Sequence, residues 1–228
     1  MSEIIVSVDC CTAWTTLGVA IDGMVRGEVN VDARMRQASM LPGLFQSLLD
    51  SLAVRVESVS LYSVVTEPGS FTGIKVGISF VTFLAWAGGQ MVIPLSSLEC
   101  TASEGLGLAC GTAAVVLQGG GGKIYGALYE SEGGNCTLTR LLPERAYIPE
   151  EFLEAVSSVM KDGFKDVSWM TDRPEKTARL FPAVERMEQV LPRGSTSVAM
   201  ALRKKDSAVI PSLIRASFHR DPDTGRAR

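Results

Sequence analysis

The chain has 228 residues, with 22 Lys+Arg against 25 Asp+Glu and a formal net charge of -3. That length suits one large domain or two small lobes. Apolar residues at 46% and charged residues at 21% exclude wholesale disorder, and the mild acidity leaves no electrostatic footprint for a nucleic-acid binder.

In chain order, residues 4–8 read as a strand, apolar except for Ser7, that ends at Asp9. After the loop Cys10-Cys11-Thr12-Ala13, residues 15–21 and 24–31 form two more strands, joined by the Asp22-Gly23 hairpin signal. The opening is a three-stranded antiparallel meander. From Met40 the period changes: Leu41, Leu44, Phe45, Leu48, Leu49 and Leu52 make an amphipathic helix stripe, with Pro42 tolerated if the helix begins there. Residues 58–65 are a central strand. The turn-rich loop Glu67-Pro68-Gly69-Ser70-Phe71-Thr72-Gly73 leads into a helix over 74–87 that is uncharged apart from Lys75.

Residues 76–98 carry no formal charge and reach the length of about 20 apolar residues that a membrane span needs. Gly88-Gly89-Gln90 interrupts them, and Ser79, Thr82, Ser96 and Ser97 are polar, so they read as a buried helix, a turn and a short strand over 91–94. A glycine-rich shift over 105–122 places a lobe boundary near residue 105. The expected division is 1–105, 106–219 and a loose tail 220–228. Beyond the boundary come strands over 113–117 and 124–129, a pairing segment over 135–141, a helix over 150–160 started by Pro149, a strand over 167–170, and helices over 175–180 and 197–204.

The single histidine, His219, lies in the tail. A zinc hydrolase draws on several ligands, and a Ser-His-Asp or Cys-His enzyme needs a positioned imidazole, so neither is expected. Cys10, Cys11, Cys100, Cys110 and Cys136 are odd in number and form no C-x-x-C; they read as reduced, small core residues of a cytoplasmic protein. The N-terminus has no basic region of the kind that opens a signal peptide.

The glycine run fails as a phosphate loop, because Ile124 follows Gly122-Lys123 and Leu117 stands where the first glycine belongs. Asp9-x-x-Thr12, between two antiparallel strands, is a candidate phosphate hairpin of the kind found in sugar kinases, actins and Hsp70 proteins. In the 67–73 loop Pro68 fixes φ, Gly69 permits a left-handed turn, and Ser70 or Thr72 can cap the next helix, whose N-terminus is a candidate anion site.

Pro68-Gly69-Ser70-Phe71-Thr72-Gly73, followed by Ile74-Lys75-Val76-Gly77-Ile78, resembles the P-G-S-F-T-G-[VI]-R-[IV]-G signature of the TsaB (YeaZ) family. The Asp9–Thr12 hairpin, Met40-Leu41-Pro42 and Ile210-Pro211-Ser212-Leu213-Ile214-Arg215 resemble further segments of that family. The resemblance implies an α/β, two-lobed fold related to actin and Hsp70, with mixed sheets flanked by helices. It also implies a non-catalytic subunit in making threonylcarbamoyladenosine next to the tRNA anticodon. The implied partners are a TsaD-like paralogue, which carries the metal and the transfer chemistry, and a TsaE-like ATPase; tRNA is met only indirectly and no membrane is involved. No cofactor is implied, although a nucleotide at a subunit interface stays open. Lys123 stands where the family often has Glu, and Thr171-Asp172-Arg173 replaces its Gly-Asp-Gly.

The 74–87 helix is apolar nearly all round. With Gly73 and Gly77 spaced four apart, it is expected to pack with the 41–52 helix against the equivalent pair of another subunit. The interface candidates are Leu41, Leu44, Phe45, Leu48, Leu52, Gly73, Ile74, Gly77, Phe80, Val81 and Leu84. A metallopeptidase of the M22 type and a small-molecule kinase of the same fold are the alternatives.

Overall fold

The computed structural model describes residues 2–134, 137–160 and 166–216. His219, Cys136, the start of the 135–141 segment and the 220–228 tail lie outside the described residues. Strands β1 (Ile4–Asp9), β2 (Trp14–Ile21), β3 (Met24–Asp32), β4 (Leu61–Glu67) and β5 (Met91–Ser96) form one sheet in the order β3-β2-β1-β4-β5. β1 pairs antiparallel with β2 and parallel with β4, so the sheet is mixed, as expected. β1 is buried along its whole length because both faces are covered. Ile4, Val6 and Val8 face α1 (Gln37–Ser51) and α2 (Phe71–Gly88), while Ile5 faces the opposite core with Val198 and Ala201 of α6 (Gly194–Arg203).

The second sheet runs β10-β9-β6-β7-β8, built from β6 (Cys110–Gln118), β7 (Ile124–Glu132), β8 (Leu138–Tyr147), β9 (Val167–Thr171) and β10 (Glu188–Gln189). Its side chains alternate as a strand requires. Ala113, Val115 and Leu117 pack on α3 (Ser97–Leu106); Ala114 and Val116 join Phe152 and Val156 of α4 (Pro149–Val159). Pro149 opens α4, as expected. The segment expected as a short helix over 175–180 is α5 (Pro174–Thr177) followed by a 3-10 turn.

Two features depart from the expectations. α1 begins at Gln37 after a 3-10 turn over Arg34–Arg36, so Pro42 sits inside the helix. The carbonyl of Ala38, which loses its intrahelical partner there, lies at an exposed residue. α3 was not anticipated, although Ser96-x-x-Glu99 is a capping signature and the Ser96 hydroxyl accepts from the Glu99 amide at 3.3 Å. Within 106–219 the strands build the second sheet, while α6 packs on β1 and β2 of the first.

That packing depends on contact without side chains. A Cβ on Gly18 would lie 1.9 Å from the Gly194 carbonyl oxygen, and a Cβ on Gly194 would lie 1.9 Å from that of Leu17. The α6 N-terminus is held there by Asn30, whose Oδ1 accepts from the Gly194 amide at 2.9 Å, and by Glu28, whose Oε2 accepts from the Ser195 amide at 2.8 Å. Gly194→Ala is therefore expected to destabilise the fold by about 1–3 kcal/mol, the usual cost of overpacking. Thermal melts check this against Gly43→Ala, where nothing lies within 4 Å of the added carbon.

Candidate functional site: an apolar groove beside a locked loop

The β1–β2 loop is the support on which the candidate site is built. Its carbonyls are taken up in turn. The Ser70 amide donates to Cys11 at 2.6 Å, Gln37 Nε2 to Thr12 at 3.2 Å and the Arg34 amide to Ala13 at 2.7 Å. Gly69 and Gly73 let the 68–73 loop come this close: a Cβ at 69 would lie 2.2 Å from the Cys11 oxygen, and one at 73 would lie 1.9 Å from the Cys10 oxygen. Ser70 caps α2, its hydroxyl accepting from the Gly73 amide at 3.4 Å. The Ser97 hydroxyl donates to the Pro68 carbonyl from the other side.

Asp9 and Thr12 turn their side chains to local backbone. Asp9 Oδ1 accepts from the Cys11 amide at 2.7 Å, and Thr12 Oγ1 accepts from the Trp14 amide at 3.1 Å. Burial pushes the Asp9 carboxyl above its usual range, against the opposing pull of the Cys11 hydrogen bonds. The same burial raises the Cys10 thiol to about 12 and Cys11 and Cys100 well above the ordinary thiol range, with the Asp9 charge adding to the effect. These three thiols are packed and unreactive, as expected, whereas Cys110 is exposed and its Sγ donates to the Glu132 carbonyl.

On this support α1 and α2 stand side by side and enclose a groove of about 630 Å³. Leu41, Pro42, Phe71, Val76, Phe80 and Phe83 line most of it. The interface candidates separate into two sets. Gly73, Ile74, Gly77 and Val81 are buried against the chain's own β1 and β4; Gly77, for example, lies over Val64 and Cys10. Leu41, Phe45 and Leu48 are likewise buried in the first core, with Phe45 edge-on to Phe80 at 5.3 Å. The small-residue pair at 73 and 77 thus serves the approach of helix to its own sheet. Leu44, Leu52, Phe80 and Leu84 are half-buried, and Phe71 and Thr72 are exposed.

α2 is not the buried helix expected from its composition. Phe83 is 66% exposed and Trp86 76%, and Met35 just before α1 is 85% exposed. By length and composition alone α2 could cross a membrane, and 28% of it is buried. Trp86 and Met35 did not stand out in the sequence. The signal for Trp86 was its spacing, since Phe80, Phe83 and Trp86 succeed one another three apart on one helix.

A polar cluster joins the lobes elsewhere. Glu144 accepts from the Ser96 hydroxyl at 2.6 Å, from the Tyr129 hydroxyl at 2.7 Å and from Arg140 at 3.1 Å. Burial, with the neighbouring Glu144 charge, drives the Tyr129 phenol far above its usual range. Alongside, Lys204 pairs with Glu99, and Arg193 and Thr196 engage Glu104. Lys123 is exposed in the β6–β7 turn, and Asp172, raised by burial, pairs with Arg173 at 3.6 Å. Among the described residues no cluster of His, Cys, Asp and Glu could hold a metal ion.

The buried Asp9 carboxyl has a consequence for stability. Because its folded-state pKa is raised, the folded state holds the extra proton at acid pH, and that contribution fades as pH rises through the folded pKa. Asp9→Asn keeps the Oδ1 acceptor and removes the buried charge. It should melt a few degrees above the parent protein at pH 7.5, with the difference shrinking toward pH 4, as measured by calorimetry.

Residues 31–187 match the family model described as TsaD: tRNA N6-adenosine threonylcarbamoyltransferase. The chain is 26% identical over 142 residues to the tRNA threonylcarbamoyladenosine biosynthesis protein TsaB of Bacillus subtilis (strain 168). That alignment covers 61% of this chain and 60% of the relative, so it spans about three fifths of the relative's length. YeaZ from Pseudomonas aeruginosa superposes with a TM-score of 0.78 at 18% identity, covering 92% of this chain and 97% of that one. A second structure, described as an uncharacterized Pseudomonas aeruginosa protein with similarity to peptidase YEAZ, gives 0.79 at 16% identity over 96% and 100%. Both establish the expected two-lobed fold with its mixed sheets. Since the family model spans well over half of its length, the chain belongs to the TsaD family.

Proposed function

We propose that this chain is a non-catalytic subunit of the cytoplasmic apparatus that installs threonylcarbamoyladenosine in tRNA, and that it works by seating a TsaD-type protein on the α1–α2 groove. The observation that carries the reading is the open apolar groove between α1 and α2, lined in part by the exposed ring of Phe83 and by Phe71 of the 68–73 loop, on a helix that also exposes Trp86. Covering one such ring is worth about 1.5–3 kcal/mol. Several together offset the cost of association. The contact surface comprises Leu44, Leu52, Phe80 and Leu84, which are half-buried, together with Phe71, Phe83 and Trp86. The buried candidates Leu41, Phe45, Leu48, Gly73, Ile74, Gly77 and Val81 shape it from beneath.

In this reading residues 1–105 carry the partner surface, and the second lobe, with α6 returned to the first sheet, supports it. A TsaE-like ATPase joins the assembled pair, tRNA is met through the partner, and a nucleotide could be held only where the two subunits meet. The name of the Bacillus subtilis relative supports this reading over the M22-type peptidase. The kinase alternative is weakened by the hydrogen bonds that tie Asp9 and Thr12 to their own loop.

Co-expression with the TsaD-type protein of the same genome should yield a complex that survives gel filtration. Depleting this chain in its host should lower threonylcarbamoyladenosine in bulk tRNA, measured by mass spectrometry of nucleosides. The double variant Phe83→Asp/Trp86→Asp, which touches exposed positions only, should weaken the complex by at least about tenfold. Unchanged modification after depletion, with no complex formed, would overturn the reading.

A further inference from the structure

A second cavity, of about 240 Å³, lies where the two lobes meet and shares no lining residue with the α1–α2 groove. Three elements wall it. α3 contributes Glu99 and Ser103, α6 contributes Met200, Arg203 and Lys204, and the start of β8 contributes Leu138, with Thr137 just before it. Helical spacing explains the convergence, since positions 99 and 103 share one face of α3, and 200, 203 and 204 one face of α6. Met200 is buried and Leu138 half-buried, so the floor is apolar. The charges around that floor are unequal in their surroundings. Glu99 is closed by Lys204, whose ammonium donates to its carboxylate. Among the described residues no carboxylate lies within ion-pair distance of Arg203, and its side chain makes one long hydrogen bond, from Nη2 to the Ser103 hydroxyl at 3.4 Å.

We propose that this cavity binds a small aliphatic carboxylate, with its two oxygens on the Arg203 guanidinium and its carbon chain over Met200 and Leu138. The lining supplies one carboxylate against two cations, and the surplus positive charge suits a monoanion. A guanidinium is a planar fork whose paired N–H groups match the two oxygens of a carboxylate. Inorganic phosphate would also satisfy the fork, but it would leave the apolar floor uncovered and forgo that part of the binding. A free amino acid would bring an ammonium group as well. The one carboxylate in the lining, Glu99, is already neutralised by Lys204, so that ammonium would lose water without gaining a partner. At roughly 30 Å³ for each water-sized group, the space holds about eight non-hydrogen atoms, enough for valerate. Because α6 packs on the first sheet and β8 belongs to the second, an occupant touches both lobes at once. Its binding therefore stabilises their junction.

The test uses the full chain alone, so it does not depend on any partner. The methionine methyls are labelled with carbon-13, the Met200 signal is assigned from a Met200→Leu variant, and valerate, norvaline and inorganic phosphate are titrated at matched ionic strength. Of the nine methionines, Met200 is the one that lines the cavity, so its methyl should shift saturably with valerate. Norvaline, which adds an ammonium to the same carbon skeleton, and phosphate should both bind more weakly. Valerate should also raise the melting temperature. Arg203 is exposed, so its variants are expected to fold, which calorimetry verifies. Arg203→Gln should weaken valerate binding at least about tenfold. Arg203→Lys, which keeps the charge and loses the fork, should weaken it less. The proposal is overturned if valerate produces no saturable shift at Met200, if phosphate or norvaline binds as tightly as valerate, or if Arg203→Gln stays within twofold of the parent.

Discussion

The structure turns on backbone laid directly against backbone where the 68–73 loop meets the β1–β2 loop. Glycine at 69 and 73 is required there because the oxygens of Cys11 and Cys10 occupy the space a side chain would need. That approach, pinned by the Ser70 amide on the Cys11 carbonyl, fixes where α2 starts and how it is rotated. With the start fixed, Ile74, Val81 and Ala85 must face the sheet. Phe83 and Trp86, on the remaining arc, must face away from it. The exposed rings are thus a consequence of the same contact that anchors the helix.

Much of the fold was legible because its local signals agree with one another. The Asp22-Gly23 turn, the alternation of β2 and the capped, apolar α2 each point to the element that forms. The continuous apolar run of β6 and Pro149 at the start of α4 are equally plain. What escaped was set by tertiary contact. α3 is short and polar enough that its capping signature was the single cue. β10 has two residues and exists by pairing with β9. The return of α6 to the first sheet depends on Gly18 and Gly194 meeting across most of the chain length, which no local pattern encodes.

The candidate site was legible in kind and blurred in detail. The 68–73 residues stood out by their turn chemistry, and the apolar excess of α2 signalled a surface wanting a cover. Periodicity alone could not say which residues face the sheet and which face out, because a helix apolar all round has no phase to read. Gly73 and Gly77 were ambiguous for the same reason, since small residues let any neighbour approach and the neighbour proved to be the chain's own sheet. Asp9 and Thr12 illustrate a second ambiguity: a polar loop between strands has the same composition whether its side chains meet a ligand or its own amides.

The two lobes are coupled by chemistry unlike that of the groove. Where α1 and α2 present carbon to the outside, α3 and α6 meet through ion pairs and hydroxyls, and Glu144 gathers Ser96, Tyr129 and Arg140 around one carboxylate. Polar networks hold a geometry by satisfying each group in turn and lose it when one is left unpaired. Apolar surface is indifferent to exact register and therefore selects its occupant poorly. A subunit whose task is to be recognised at one face needs both: a stiff polar junction to hold the lobes, and a greasy face whose selectivity must come from the few charges placed in it. On α2 that number is one, Lys75 beside the Phe71 ring, so the rest of the face is held to its shape by carbon contacts alone.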